Sequence, residues 1–198
     1  MLVFWEARLV LLAVPKTGTT ALEAALGPRA ALCVRSPPPM KHMTLRRYRR
    51  HVEPLLRAAG GAGFETVAVV REPLAWLSSW FRYRARPALD GHPNGTRGMS
   101  FDAFVAEWLR DDPGSFARVG SQAGYVFDGE GPPVSHAFAY EAPEALCGFL
   151  RDRLGDLPAV ERLNVSPAFE AGLSPALAAR VRRERPREWE AWEAARRA

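Results

Sequence analysis

Short apolar runs alternating with amphipathic segments predict an α/β fold, a central, mainly parallel sheet flanked by helices. Three observations carry this reading. Leu9 to Val14 is an almost wholly apolar run without alternation, the pattern of a strand covered on both faces. Thr66 to Val70 repeats it. Each run ends in proline-bearing punctuation, Pro15-Lys16-Thr17-Gly18 and Arg71-Glu72-Pro73, and each is followed by a helical pattern.

Taken in order, Met1 to Val14 reads as strand, because Glu6 and Arg8 and the lack of a basic start or small-residue cleavage site argue against a signal peptide. Pro15 closes the strand, and Thr19 or Thr20 is expected to cap a helix that continues through Ala21 to Leu26. Ala30 to Val34 is a second strand. After the Pro37-Pro38-Pro39 turn, Thr44 caps a helix with Leu45, Tyr48, Val52 and Leu55 on one stripe and Pro54 as a bend. Gly60, Gly61 and Gly63 end it before the strand Thr66 to Val70. Pro73 opens the next helix, which runs to Tyr83 or Arg84 and sets Trp76, Ser79, Trp80 and Tyr83 along one side. Pro87 to Gly98 reads as a long, mobile polar loop. Ser100 caps an amphipathic helix whose stripe is Phe101, Phe104, Val105, Trp108 and Leu109, and residues 111 to 134 are irregular. Ala137 to Tyr140 is a fourth strand, Glu141 starts a helix through Leu154, and Ser174-Pro175 opens a final helical stretch that Pro186 interrupts.

At 198 residues and 21.9 kDa the chain is sized for one domain, residues 1–198. A net charge of +5 suits an anionic small ligand, and is too small a surplus to indicate nucleic acid. No apolar stretch reaches membrane-spanning length. Cys33 and Cys147 form neither a disulfide framework nor a metal signature, so buried free thiols and a cytoplasmic protein are expected. The sequons at Asn94 and Asn164 carry little weight without an export signal.

Lys16-Thr17-Gly18-Thr19-Thr20 between a buried strand and a helix brings several N–H groups and one ammonium together, an arrangement for an anion and most naturally a phosphate. Of 27 basic residues only Lys16 and Lys41 are lysines, which singles out a compact point charge inside the loop. The Walker pattern does not fit, since Lys16 precedes Gly18 and no glycine stands upstream. Arg71, at a strand end, can meet phosphate bidentately, and Ser79 lies on the helix that follows.

Pro15-Lys16-Thr17-Gly18-Thr19-Thr20 resembles the 5′-phosphosulfate loop of sulfotransferases that use 3′-phosphoadenosine 5′-phosphosulfate (PAPS). Arg71 to Tyr83 resembles their 3′-phosphate segment, with Arg71 and Ser79 at the family's spacing. Lys-His-Met-Thr from residue 41, Ala-Phe-Ala-Tyr-Glu to residue 141 and Arg-Leu-Asn-Val-Ser-Pro from residue 162 look like the bacterial and carbohydrate branch. The glycine-rich C-terminal nucleotide motif of the cytosolic small-molecule branch is missing, and Glu72 stands where the family usually has Asn or Asp. The resemblance implies a P-loop NTPase-like three-layer fold and sulfuryl transfer from PAPS to a hydroxyl, or an amine, of a carbohydrate-like acceptor, releasing 3′,5′-bisphosphoadenosine (PAP). Lys16, Thr17, Gly18, Thr19, Thr20, Arg71 and Ser79 would bind the donor, Lys16 acting also in catalysis, and no metal is expected. His42 is either the base for the acceptor hydroxyl or a helix-start histidine bonded to backbone. Asn164 and Ser166 are candidates to close over the nucleotide, and Glu141 is expected to cap a helix. His92 and His136 read as structural. Two other classes stay open: a P-loop kinase or nucleotide hydrolase, and a non-catalytic polyanion-binding module built on Arg46, Arg47, Arg49 and Arg50.

Overall fold

The computed structural model describes residues 1–129, 131–158 and 172–197; Asn164, Ser166 and the 162–167 motif lie outside them. Among the described residues five strands form one mixed open sheet in the order β3-β1-β2-β4-β5. In chain order the elements are β1 (Leu2–Phe4), β2 (Leu9–Leu11), α1 (Thr19–Leu26), β3 (Leu32–Cys33), α2 (Pro38–Lys41), α3 (Leu45–His51) and α4 (Glu53–Ala58). There follow β4 (Glu65–Val70), α5 (Pro73–Arg84), α6 (Phe101–Trp108), α7 (Ala123–Val126), β5 (His136–Ala139), α8 (Pro143–Leu154), α9 (Pro175–Glu184) and α10 (Pro186–Ala195). β2, β4 and β5 pair in parallel, while β1 pairs antiparallel with both β2 and β3, so β1 alone runs against the rest.

The alternating side chains of these strands feed two separate cores. Leu9 and Leu11 of β2 and Val67 and Val69 of β4 pack with Leu22 and Leu26 of α1 and Leu146 and Leu150 of α8. Val10, Ala68 and Val70 face the opposite side, against Leu45 and Tyr48 of α3, Val126 of α7 and Ala191 of α10. Apolar residues at every position, rather than every second one, are what a sheet covered on both faces requires. A third cluster joins Trp76, Leu77 and Phe81 of α5 to Phe104, Val105 and Trp108 of α6 and to Trp189 of α10.

Several expectations need correction. The first fourteen residues are a hairpin and not one strand: Phe4 pairs with Leu9, and Arg8 (φ 51°) sits in the turn. Charged Glu6 and Arg8 mark that turn, because a two-faced buried strand has no place for them. Val52 separates α3 from α4, so the phase of the stripe shifts: Leu56 is buried and Leu55 is 61% exposed. Thr44 holds the N-cap position of α3 without a side-chain bond. Residues 111 to 134 contain a short helix, α7. The Pro87 to Gly98 loop is tied down, since buried Thr96 donates its hydroxyl to Phe81 O (2.9 Å) and Ser115 donates to Pro93 O (2.7 Å). Cys33 and Cys147 are free but only half-buried.

The amino end of the sheet carries an ion cluster with a testable consequence. Arg153 donates to both carboxylate oxygens of Glu65 (3.0 Å each), and the His136 ring also meets that carboxylate. The Arg153 and His136 hydrogen bonds hold the Glu65 carboxyl down at about 2. A depressed carboxylate pKa stabilises the fold above the unfolded value, and that stability is lost as pH falls through the folded value. Acid titration of wild type against Glu65→Gln should therefore show an advantage for wild type at neutral pH that disappears between roughly pH 4.5 and 2. A constant difference across that window would refute the linkage.

Candidate functional site

The carboxyl ends of the parallel strands β2, β4 and β5 open on one side of the sheet, where an open α/β fold places its ligand crevice. After β2 the chain turns through Lys16 (φ 68°) and Gly18 (φ 76°), both left-handed. That conformation suits glycine and is strained for lysine. Gly18, and not Thr19 or Thr20, is the N-cap of α1, and no side chain caps the helix. Thr19 and Thr20 thus occupy its first positions, where amide N–H groups point out of the helix end. The Thr17 side chain is turned away: buried, it donates its hydroxyl to Val14 O at 2.9 Å, which leaves its backbone for a ligand. The loop is locked to α5 by Trp76, whose buried indole donates to Pro15 O at 2.9 Å.

Lys16 leans over the rings of Tyr83 (4.2 Å to the centroid) and Trp80 (5.7 Å). Burial, and then the like charges of Arg86, Arg71 and Arg82, bring its ammonium down to about 8. Arg71, one residue past β4, rests its guanidinium 4.7 Å from the Tyr140 ring, and its Nε is buried without a hydrogen-bond partner. Its pKa is also lowered, first by desolvation. Tyr140 follows β5 and spans the two half-sites, since a Cβ added to Gly18 would lie 3.6 Å from its ring. Ser79 is buried on α5.

α5 begins where the sequence predicts, with Pro73 as its first residue, and Glu72 is its N-cap. The Glu72 carboxylate accepts from Ala75 N–H at 2.6 Å and so satisfies one of the free amides at the helix start. Glu141 does not cap α8, the helix after it. Its carboxylate instead accepts Glu72 N–H (2.8 Å) and the Trp192 indole N–H (3.1 Å), because the sheet sets it beside the start of α5.

His42 ends α2 instead of starting a helix, and its Nδ1 lies 2.7 Å from Ala13 O, just beyond β2. A carbonyl only accepts, so Nδ1 carries the proton and Nε2 keeps its lone pair. Burial pushes the imidazole below its usual 6.5. The backbone-bonded reading of His42 holds at a helix end rather than a helix start, and Nε2 is the ring nitrogen left with a lone pair.

Three of the four arginines of α3 are engaged, and Arg50 is exposed. Arg49 pairs with Asp128 and donates to Pro132 O (2.7 Å), Arg46 donates to Asp128 O (3.2 Å), and Arg47 donates to Pro39 O (3.1 Å). An open cleft of about 500 Å³ lies between α3, α7 and the start of α10, lined by Arg46, Phe127, Asp128 and Arg187 among others, and away from Lys16. Among the described residues no cluster of three His, Cys, Asp or Glu is placed to hold a metal ion, and no helix is long and apolar enough to cross a membrane.

Tyr83, Arg86, Tyr140 and Gln122 belong to this neighbourhood, and none of them carries a ligand role in the sequence reading. Tyr140 had a signal, as the residue after a strand on the ligand side; Gln122 lies in a stretch without periodicity and had none. The fold and site together define an α/β protein with two desolvated cations, Lys16 and Arg71, beyond the carboxyl ends of its parallel strands. Comparison with protein-family models, curated proteins and solved structures returns no match.

Proposed function

We propose that the protein is a sulfotransferase that moves a sulfuryl group from PAPS to a hydroxyl of a carbohydrate-like acceptor. One observation carries the proposal furthest: the loops after two adjacent parallel strands bring Lys16 and Arg71 together as desolvated cations, with the Arg71 Nε buried and unpartnered. A desolvated guanidinium with an unused donor is costly unless an anion completes it. Three further features fit: a left-handed loop closing on an uncapped helix, aromatic rings beside both cations, and a neutral His42 anchored at the end of β2. In this reading the loop amides of Thr17 to Thr20 hold the 5′-phosphate and Arg71 and Ser79 hold the 3′-phosphate. The acceptor oxygen attacks sulfur, its proton passes to His42 Nε2, and the bond from sulfur to the bridging oxygen breaks to release PAP. Lys16 steadies the charge that grows on that oxygen, so catalysis is positioning and electrostatics. The expected core is of the P-loop NTPase-like kind.

The kinase or hydrolase reading asks for a strand-end carboxylate free to hold magnesium. Glu72 and Glu141, the carboxylates at that edge, are committed to backbone and indole N–H groups. The polyanion-binding reading keeps exposed Arg50, but Arg49 is paired with Asp128, and Arg46 and Arg47 are tied to the Asp128 and Pro39 carbonyls. A thermal-shift panel of PAP, AMP, ATP and heparin separates the three. PAP should stabilise the protein more than AMP, and Arg71→Ala should remove the difference with a roughly ten- to hundredfold loss of PAP affinity, the value of one charge-assisted pair. Equal shifts with PAP and AMP in the wild type would sink the proposal, as would a larger shift with ATP or heparin.

A further inference from the structure

We infer that the C-terminal helix α10 is part of the donor site, with Gln122 as the residue through which it positions Arg71. The inference rests on the sulfotransferase reading for its ligand, and on backbone geometry for the rest. β2 pairs with β4 from Leu9 beside Glu65 to Leu11 beside Val67, and Leu12 N–H reaches Val67 O at 2.9 Å. By Arg71 the β2 side of β4 has no strand left beside it. The fully buried Gln122 takes that place: its Oε1 accepts Arg71 N–H (2.9 Å) and its Nε2 donates to Arg71 O (2.9 Å). One side-chain amide thus pairs with both backbone groups of the phosphate arginine, as a neighbouring strand would.

Gln122 is itself held from α10. Glu188, only 3% exposed, accepts Gln122 N–H at 3.1 Å and the Ser121 hydroxyl. A second link runs in parallel, from Trp192 of α10 through Glu141 to Glu72 N–H, the residue after Arg71. Two successive residues at the end of β4 are therefore tied to one helix far along the chain. Apolar packing of α10 needs neither link. Buried polar groups satisfied this fully fix one geometry, and a guanidinium that meets a phosphate in a fork depends on its geometry. Gln122 and Glu188 act through Arg71 and are positioning residues.

The test uses Gln122→Met, which keeps length and packing while removing both bonds, beside Glu188→Ala and Glu188→Gln. Circular dichroism and thermal melting establish that each variant is folded, and hydrogen exchange reads the Arg71 amide directly. Gln122→Met should lose exchange protection at Arg71 while α1 keeps its own. The ratio of PAP to AMP affinity should fall roughly tenfold or more, since small misplacement of a binding group carries costs of this size. AMP affinity should stay near wild type, and with PAPS as substrate KM should rise with little change in kcat. Glu188→Ala should show the same pattern more weakly, and Glu188→Gln, which still offers an acceptor to Gln122 N–H, should largely restore it. Should Gln122→Met not fold, the Glu188 pair gives the same comparison. Lost protection at Arg71 with an unchanged PAP to AMP ratio would overturn the positioning role, as would an equal loss of both nucleotides. A wild type that does not prefer PAP to AMP would refute the donor-site reading, and the role at that site with it, whatever the exchange result.

Discussion

His42→Ala is expected to lower turnover by roughly 10²–10⁴-fold while PAP affinity stays nearly unchanged, the range for removing a positioned general base. The hydrogen bond from Nδ1 to Ala13 O fixes both the tautomer and the ring, so Nε2 is the only basic atom the residue offers. Burial disfavours the imidazolium and pulls the pKa below its usual 6.5, the Ala13 carbonyl opposes this, and the nearby Lys41 charge adds to the lowering. A lowered pKa favours the neutral, proton-accepting form of this base across the physiological range. The acid limb of the wild-type rate should accordingly fall at a pH below about 6.5, lower than an unperturbed imidazole would place it. In His42→Ala that limb should flatten. A mutant with near-normal turnover and the same acid limb would show that His42 only closes α2 against β2.

Lys16→Ala is expected to cost roughly 10²–10³-fold in turnover, the effect of deleting one preorganised donor to a developing oxyanion. Nucleotide binding should survive in weakened form, because the loop amides and Arg71 remain while the ammonium acts most on charge that appears as the bond breaks. The pH dependence gives an independent sign. In the free protein Lys16 is brought down to about 8 by burial and by Arg86, Arg71 and Arg82. Its charge is complete at lower pH and is lost as pH rises through that value, so kcat/KM, which reports the free enzyme, should decline on the alkaline side near pH 8. Lys16→Ala should lack this alkaline limb and keep the acid limb due to His42. A variant that binds PAP as wild type does and turns over at more than a tenth of its rate would mean the ammonium is only packed on Tyr83 and Trp80.

The sequence by itself determined what depends on local pattern. Doubly apolar runs placed β2 and β4, because a strand covered on both faces has no solvent side to write as polar. Pro73 placed the start of α5, because its fixed φ suits a first helical position and its missing N–H costs nothing there, whereas the cap of α1, read at Thr19 or Thr20, falls on Gly18. Lys16 and Arg71 were visible for the same reason: each follows such a strand, and parallel strands deliver their carboxyl ends to one edge.

Only the tertiary structure decided what arises between distant segments. The reversal of β1 depends on pairing with β3 as well as β2, and neither register is written in Leu2 to Phe4 alone. Glu141 resembles a helix cap in sequence, yet it serves Glu72 and Trp192, 69 and 51 positions away, because hydrogen bonds follow space and not spacing. Arg46, Arg47 and Arg49 read as an open basic face until Asp128, Pro132 and Pro39 fold against them. Lys16 reads as a plain cation until Tyr83, Trp80 and three arginines surround it and burial lowers its pKa. Gln122 lies in a stretch with no periodicity, and its importance exists only where β2 has ended, Arg71 needs a backbone partner, and α10 brings Glu188 to hold the amide in place.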